Sequence, residues 1–329
     1  MPVFIRFIRG FTAIIMSVLC LISWPFAGNF MADNAPLEED CKLYFAALSD
    51  IHMTKETARR DMLRFALQDM QQADRRLDAL VLAGDLTDHG YQQEWEMLSE
   101  AFSGYDPADR ILLAQGNHDT WTEDEGYNLA EKYFRDYAEK IGGRYINHEY
   151  YSTLVKGYTF IFLASQTDRT AAYISNAQLK WLKLRMSQAA ERGGPIFVVC
   201  HWPINQTHGL PVTWGEDDME PDDGGIGDQS AKVEELLKQY DNVFMISGHI
   251  HNGFSNEKDS KRTGYVSVES DGSFHSINLP SYMYMVPRGR VANGTGFNLE
   301  VYDDEVIIRG RSFSSGVWYT DYVWNIDLV

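Results

Sequence analysis

Five short apolar runs, Leu43 to Leu48, Ala79 to Ala83, Ile111 to Ala114, Ile196 to Val199 and Val243 to Ile246, each lead into a small polar cluster. Runs this short without polar alternation read as strands buried on both faces, the mark of sheets covered by helices rather than washed by water. The clusters that follow are Asp50-Ile51-His52, Gly84-Asp85, Gly116-Asn117-His118-Asp119, Cys200-His201 and Gly248-His249-Ile250-His251. Loops beyond the carboxyl ends of such strands converge on one rim, so five ends can supply one site.

Helical spacing fills the intervals between runs. Lys55 to Arg76 carries Met62, Phe65, Ala66, Met70 and Ala73 on one face, and Ala177 to Glu191 carries Leu179, Leu182, Met186 and Ala189 behind a cap at Ser175 or Asn176. Tyr127 to Ile141 and Ala231 to Tyr240, the latter capped by Ser230, read alike. This alternation predicts an α/β fold. From about Thr263 the chain turns to antiparallel texture, with Tyr265 to Val268, Phe297 to Tyr302 and Val306 to Arg309 separated by Asp271-Gly272 and Asp303-Asp304. No flexible linker sets that tail apart, so residues 42–329 are expected to form one domain.

The first 32 residues read as a signal peptide or N-terminal anchor, followed by a linker over 33–41. Arg6 and Arg9 precede an apolar stretch from Phe11 to about Ala27, broken by Pro25. Neither Ala27 nor Ala32 has a small residue three positions earlier, which leaves an uncleaved membrane anchor as the alternative to cleavage. Either way the expected location is secreted or extracytoplasmic. Cys20 follows Leu19, which is too large for a lipidation signal. Cys41 and Cys200 offer no disulfide framework, and Cys200 reads as a small buried hydrophobe.

Against 29 basic residues stand 47 acidic ones, a formal charge of −18 that repels a long nucleic acid. A small phosphorylated substrate is not excluded, because bound divalent cations can reverse the local polarity. The segment from Ile204 to Gln229 holds Glu216, Asp217, Asp218, Glu220, Asp222, Asp223 and Asp228 with no Lys or Arg. A connection of that length is expected to serve the site, with His208, Pro211 or Trp214 in reach of a substrate; the alternative is a solvated acidic loop. Asn205-Gln206-Thr207 and Asn293-Gly294-Thr295 fit the glycosylation pattern.

Two divalent ions held close together need oxygen and imidazole donors plus a carboxylate able to bridge them. Asp50 and His52 lie two apart beyond a strand end, so their side chains can face one ion, and His249 and His251 share that spacing. Asp85 suits the bridge, with Gly84 letting the backbone bend closely around it. Asn117 adds a neutral oxygen and His201 an imidazole. The remaining histidines, His89, His148, His208 and His275, belong to no such set, and Arg288 and Arg290 read as a solvated pair rather than phosphate contacts.

In order and placement these clusters resemble the calcineurin-like metallophosphoesterases, whose pattern runs D-x-H, G-D-x-x-D, G-N-H-D, a strand-end H and G-H-x-H. Here they stand as Asp50-Ile51-His52, Gly84-Asp85-Leu86-Thr87-Asp88, Gly116-Asn117-His118-Asp119, His201 and Gly248-His249-Ile250-His251, spanning residues 43 to 251. The resemblance implies two packed mixed sheets flanked by helices, a four-layer α/β/β/α sandwich with antiparallel C-terminal strands completing the second sheet. It also implies two divalent or mixed-valence ions (Mn, Fe or Zn), with Asp50, His52, Asp85 and His251 around one and Asp85, Asn117, His201 and His249 around the other. His118 is then a catalytic non-ligand, and Asp88 and Asp119 support the ligands. Cations about 3.5–4 Å apart lower the pKa of a shared water, whose hydroxide attacks phosphorus in line while His118 protonates the leaving oxygen.

The function so implied is an exported metal-dependent phosphoesterase acting on a small phosphomonoester or phosphodiester. Purple acid phosphatases use D-x-G and G-D-x-x-Y, and His52 and Asp88 stand where that glycine and tyrosine fall, which disfavours a tyrosinate-iron site. A non-catalytic cell-surface binding protein is countered by the intact donor set. A nuclease is countered by the acidic balance.

Overall fold

The computed structural model of the chain describes residues 30–32, 39–121, 127–166, 172–214, 220, 223–283 and 294–329. A short strand, β1 (Phe30–Ala32), precedes the first apolar run, β2 (Leu43–Leu48); β3 (Ala79–Ala83) and β4 (Ile111–Ala114) follow. A hairpin absent from the sequence reading, β5 (Tyr151–Val155) and β6 (Tyr158–Phe162), leads to β7 (Ile196–Val199) and β8 (Val243–Ser247). The remaining strands are β9 (Val268–Asp271), β10 (Phe274–Asn278), β11 (Thr295–Val301), β12 (Glu305–Ser312) and β13 (Val317–Asp327). One sheet has seven strands in the order β1-β13-β12-β11-β2-β3-β4 and the other six in the order β5-β6-β7-β8-β10-β9.

All five predicted strands exist, but they divide between sheets: β2, β3 and β4 pair in parallel in the first, β7 and β8 in the second. The antiparallel tail divides too. β10 adds to β8 and carries β9, whereas β11 pairs antiparallel with β2 and brings β12 and β13 with it. β1, the last three residues of the segment read as signal or anchor, lies along β13 at Val317 to Tyr319.

The helices are α1 (Thr57–Gln71), α2 (Gln92–Phe102), α3 (Tyr127–Gly142), α4 (Asn176–Ala190), α5 (Ser230–Leu237) and α6 (Glu257–Thr263). Ser175 caps α4 by accepting from the Gln178 amide at 3.2 Å. Ser230, expected as a cap, is the first residue of α5 instead, and its hydroxyl accepts from the Asn205 amide at 2.8 Å. No helix among the described residues is long and apolar enough to cross a membrane.

Period-two alternation in β2 shows how the layers form. Leu43, Phe45 and Ala47 face inward, against Phe160, Phe197 and Phe244 of the other sheet. Tyr44, Ala46 and Leu48 face outward, under Leu63, Leu67 and Trp95 of α1 and α2. The second sheet is covered by Leu182, Met186, Val233 and Leu237 of α4 and α5, giving helix, sheet, sheet and helix in succession. Burying a strand on both faces stabilises it by roughly 1.5–3 kcal/mol per large side chain, and it fixes the strand ends where the polar clusters begin.

Candidate metal centre

Asp50, His52, Asp85, Asn117, His201, His249 and His251 meet at the rim where β2, β3, β4, β7 and β8 end. His52 Nε2 and His251 Nε2 lie 3.1 Å apart. His251 Nε2 is also 3.1 Å from Asp50 Oδ1, and His52 Nε2 is 3.6 Å from Asp85 Oδ2. Their donor atoms fall within 4.8 Å of one another, and so do those of Asp85, His201 and His249 in a second cluster. Asp85 belongs to both, and its Oδ2 is 3.2 Å from His201 Nε2 but off hydrogen-bond geometry.

These side chains converge by a route the spacing argument did not foresee. Asp50, His52, Asp85, His249 and His251 all have positive φ, between 46° and 73°, where residues with a Cβ are uncommon. Left-handed turns past the strand ends, not the strand pleat, bring Asp50 and His52 to one side. Such a conformation costs on the order of 1–3 kcal/mol per residue and persists only when its surroundings over-determine it. Here the Asp50 amide donates to Gly84 O at 3.1 Å and the His52 amide to Asp85 O at 2.9 Å, locking one loop on the next. A Cβ on Gly84, itself at φ +95°, would stand 2.6 Å from His201 Nδ1, so the close approach of backbone to imidazole requires glycine.

Ring orientation is set by partners on the opposite nitrogen. His52 Nδ1 bonds Asp88 Oδ1 at 3.1 Å, and His201 Nδ1 donates to Ala83 O at 2.8 Å, leaving each Nε2 aimed into the cluster. His118 Nδ1 donates to Asp88 O at 2.7 Å, and its ring stands edge-on to His52 with centroids 4.6 Å apart. Asp119, expected beside a histidine, instead accepts from the amides of Leu86, Thr87 and Gly116 and from the Thr87 hydroxyl, tying two site loops together. Burial, reinforced by Asp85, raises its carboxyl to about 6.

Burial would push the imidazoles of His201 and His251 down, but Asp85 beside the former and Asp50 beside the latter pull each up to about 9. Burial prevails at His52 and His249, which stay below the ordinary histidine value. Burial opposes ionisation of Asp50 and Asp85, yet the neighbouring imidazoles outweigh it and hold both carboxyls low. Two imidazoles and two carboxylates are thus favoured in their charged forms, and two imidazoles in their neutral form.

Asp50 Oδ2, Asp85 Oδ2, Asn117 Oδ1, His201 Nε2 and both ring nitrogens of His249 are buried with no hydrogen-bond partner among the described residues. Orphaned polar atoms are costly, on the order of 1–3 kcal/mol each, and Asp50, Asp85, His201 and His249 each offer one ligand atom to clusters whose ligand atoms lie within 4.8 Å of one another. The donor set fits two cations.

Other expectations fare differently. The fully buried His208 is an anchor: Nδ1 donates to Val266 O at 2.8 Å and Nε2 meets Ser276 Oγ at 2.9 Å, so it does not face a substrate. Trp214 does reach the site, stacking on His249 at 4.4 Å between centroids and 21° between planes. Asn205, read as a glycosylation acceptor, spends its side-chain amide on both sides of Gly227 at 3.1 and 2.9 Å, holding the loop closed. Burial raises the Cys200 thiol to about 12, in keeping with an inert apolar side chain. Arg288, Arg290, Asn293, Glu216, Asp217, Asp218, Asp222 and the apolar stretch with Cys20 lie outside the described residues. The sequence reading missed Arg59, whose guanidinium bonds His52 O and lies 3.6 Å from Asp88 Oδ1; helical position alone gave no signal of that reach.

The chain belongs to the calcineurin-like phosphoesterase family, whose model matches residues 43–253. It is thus a metal-dependent phosphoester hydrolase of the kind that works with two ions. No curated protein sequence matches it. Among solved structures it is similar to a dimetal phosphatase from Danio rerio, at TM-score 0.58 and 13% identity, covering 88% of this chain and 100% of that one. It is similar also to a purple acid phosphatase from yellow lupin (Lupinus luteus) seeds, at TM-score 0.59 and 11% identity, covering 87% of this chain and 53% of that one. This chain thus spans about half of the lupin enzyme, and identities so low speak for the fold alone.

Proposed function

We propose that this chain hydrolyses a small phosphomonoester or phosphodiester outside the cytoplasm, with Asp50, His52, Asp85 and His251 holding one ion and Asp85, Asn117, His201 and His249 the other. The observation that carries the reading is the pair of His/Asp clusters that share Asp85, each with its ligand atoms within 4.8 Å of one another and several of them buried without a hydrogen-bond partner among the described residues. Nitrogen and oxygen donors of this mixture suit Mn, Fe or Zn. When bound, the two ions supply Lewis acidity and lower the pKa of water towards neutrality.

The chain's own groups do the rest. His118 keeps its Nδ1 proton on the Asp88 carbonyl, so Nε2 is the nitrogen left to carry a proton to the leaving oxygen. Trp214 covers the His249 face and keeps water from it. The location rests on the apolar N-terminal segment, and the acidic balance argues against a long nucleic acid as substrate.

Metal analysis of the purified protein, coupled to a screen of phosphate mono- and diesters, tests the proposal. Two ions per chain and turnover abolished by chelation are expected. Full turnover in stripped protein would sink it.

A further inference from the structure

At the opposite rim, the outer strand β5 and the helix α4 flank an open hollow of about 390 Å³ lined by Arg110, Arg144, Arg185 and Arg192, with Thr153 and Gln188 between them. Arg110 immediately precedes β4, at the end opposite to Gly116 and Asn117, so the cavity opens on the other rim of the sandwich. Four guanidinium groups around one hollow are unexpected in a chain of net charge −18.

Elsewhere arginines meet carboxylates: Arg60 with Asp61 and Glu100, Arg76 with Asp106 and Asp109, Arg309 with Glu300 and Arg311 with Asp69. None of the four cavity arginines lies within 4.0 Å of a carboxylate among the described residues. Arg144 bonds the Thr153 hydroxyl, Arg185 donates to Gln188 Oε1 at 2.9 Å, and Arg192 caps α4 by donating to Gln188 O at 2.6 Å. Those acceptors are neutral and Arg185 stands over the Trp181 ring at 5.6 Å, so no carboxylate among the described residues neutralises the four charges. Arg185 also keeps Nε buried without a hydrogen-bond partner.

We propose that this cavity binds a phosphate group, either free or as the head of an anionic lipid. Planar guanidinium forks match tetrahedral oxyanions bidentately, and a hollow holding several of them around a hydroxyl suits a dianion better than a carboxylate. A cluster of four arginines with no carboxylate beside it also draws anions to an otherwise repellent surface.

Inorganic phosphate is titrated calorimetrically into the metal-loaded full chain as wild type, as R144Q/R185Q, and as R76Q, which removes the same kind of charge from a paired position. Phosphate bound at the metal centre is common to all three and cancels in the comparison. Wild type and R76Q are expected to show one further binding event that weakens at least about tenfold in the double variant, with hydrolysis unchanged. R110Q/R192Q, confined to exposed side chains, gives the same reading if Arg185 proves necessary for folding. Co-sedimentation with phosphatidylglycerol rather than phosphatidylcholine vesicles, lost in the variants, assigns the ligand to lipid; a change in the phosphate isotherm alone assigns it to free phosphate. Identical isotherms and co-sedimentation in every variant overturn the site.

Discussion

The two donor clusters share Asp85 and similar ligand types, yet they are held in place by different means. Around Asp50, His52 and His251 the restraint is polar: Asp88 fixes His52, Arg59 stands by Asp88 at 3.6 Å, and Asp50 Oδ1 meets both the His251 ring and the His249 amide. Around His249 it is mostly apolar. Neither ring nitrogen has a hydrogen bond, and the imidazole is boxed by Trp214 at 4.4 Å, His201 at 5.1 Å and Trp202 at 5.8 Å. Near the mouth, where Asp88 is partly exposed, a carboxylate keeps its charge cheaply; beside the buried His249 an extra carboxylate would be costly, and packed rings orient the imidazole instead. Preorganisation therefore need not mean a hydrogen bond.

Removing the shared element erases the contrast. Asp85→Asn is expected to lose both ions and to lower kcat/KM at least about a thousandfold, read by metal analysis and turnover. Retention of either ion would show that the clusters are independent of Asp85.

Acidity should act on both clusters equally, since each contains one imidazole raised to about 9 and one held low. A histidine raised above its unfolded value of about 6.5 stabilises the metal-free fold below that pH and loses the contribution as pH rises through about 9. An incoming cation must displace that proton, so affinity at each cluster should rise about tenfold per pH unit up to about 9, or about a hundredfold from pH 7 to 9. Parallel slopes for the two ions are expected in competition titrations; a slope at one cluster only would break the symmetry.

Asp88→Asn tests the polar side. It is expected to weaken the ion near His52 by about 10- to 100-fold and spare the other. Trp214→Ala tests the apolar side: an aromatic contact is worth about 0.5–1.5 kcal/mol, so the ion near His249 should weaken by roughly two- to tenfold, while Trp214→Phe restores it. Equal losses of both ions in either variant would mean that the restraints are not local.

Much of this was legible in the chain. The five strands were read within one residue of their observed limits because burial on both faces leaves no polar interruption to blur them. The clusters were legible because metal donors concentrated at successive strand ends have little other reason to recur. Less legible were α2, whose N-cap is Tyr91 rather than a Ser, Thr, Asp or Asn, and the hairpin of β5 and β6, whose two-residue turn is Lys156-Gly157 rather than Asn-Gly or Asp-Gly. Trp214 and His208, six positions apart on one loop, are equivalent to a reading of the sequence; of the two, Trp214 reaches the site.

Sequence by itself determined which polar side chains stand at the strand ends and which strands present them, since composition and periodicity are local properties. The partition of those strands between two sheets, the left-handed turns at five donors, the assignment of Trp214 to packing and His208 to anchoring, and the arginine cavity on the far rim were decided by tertiary structure alone. Each depends on contacts between residues many tens of positions apart, which no local pattern encodes.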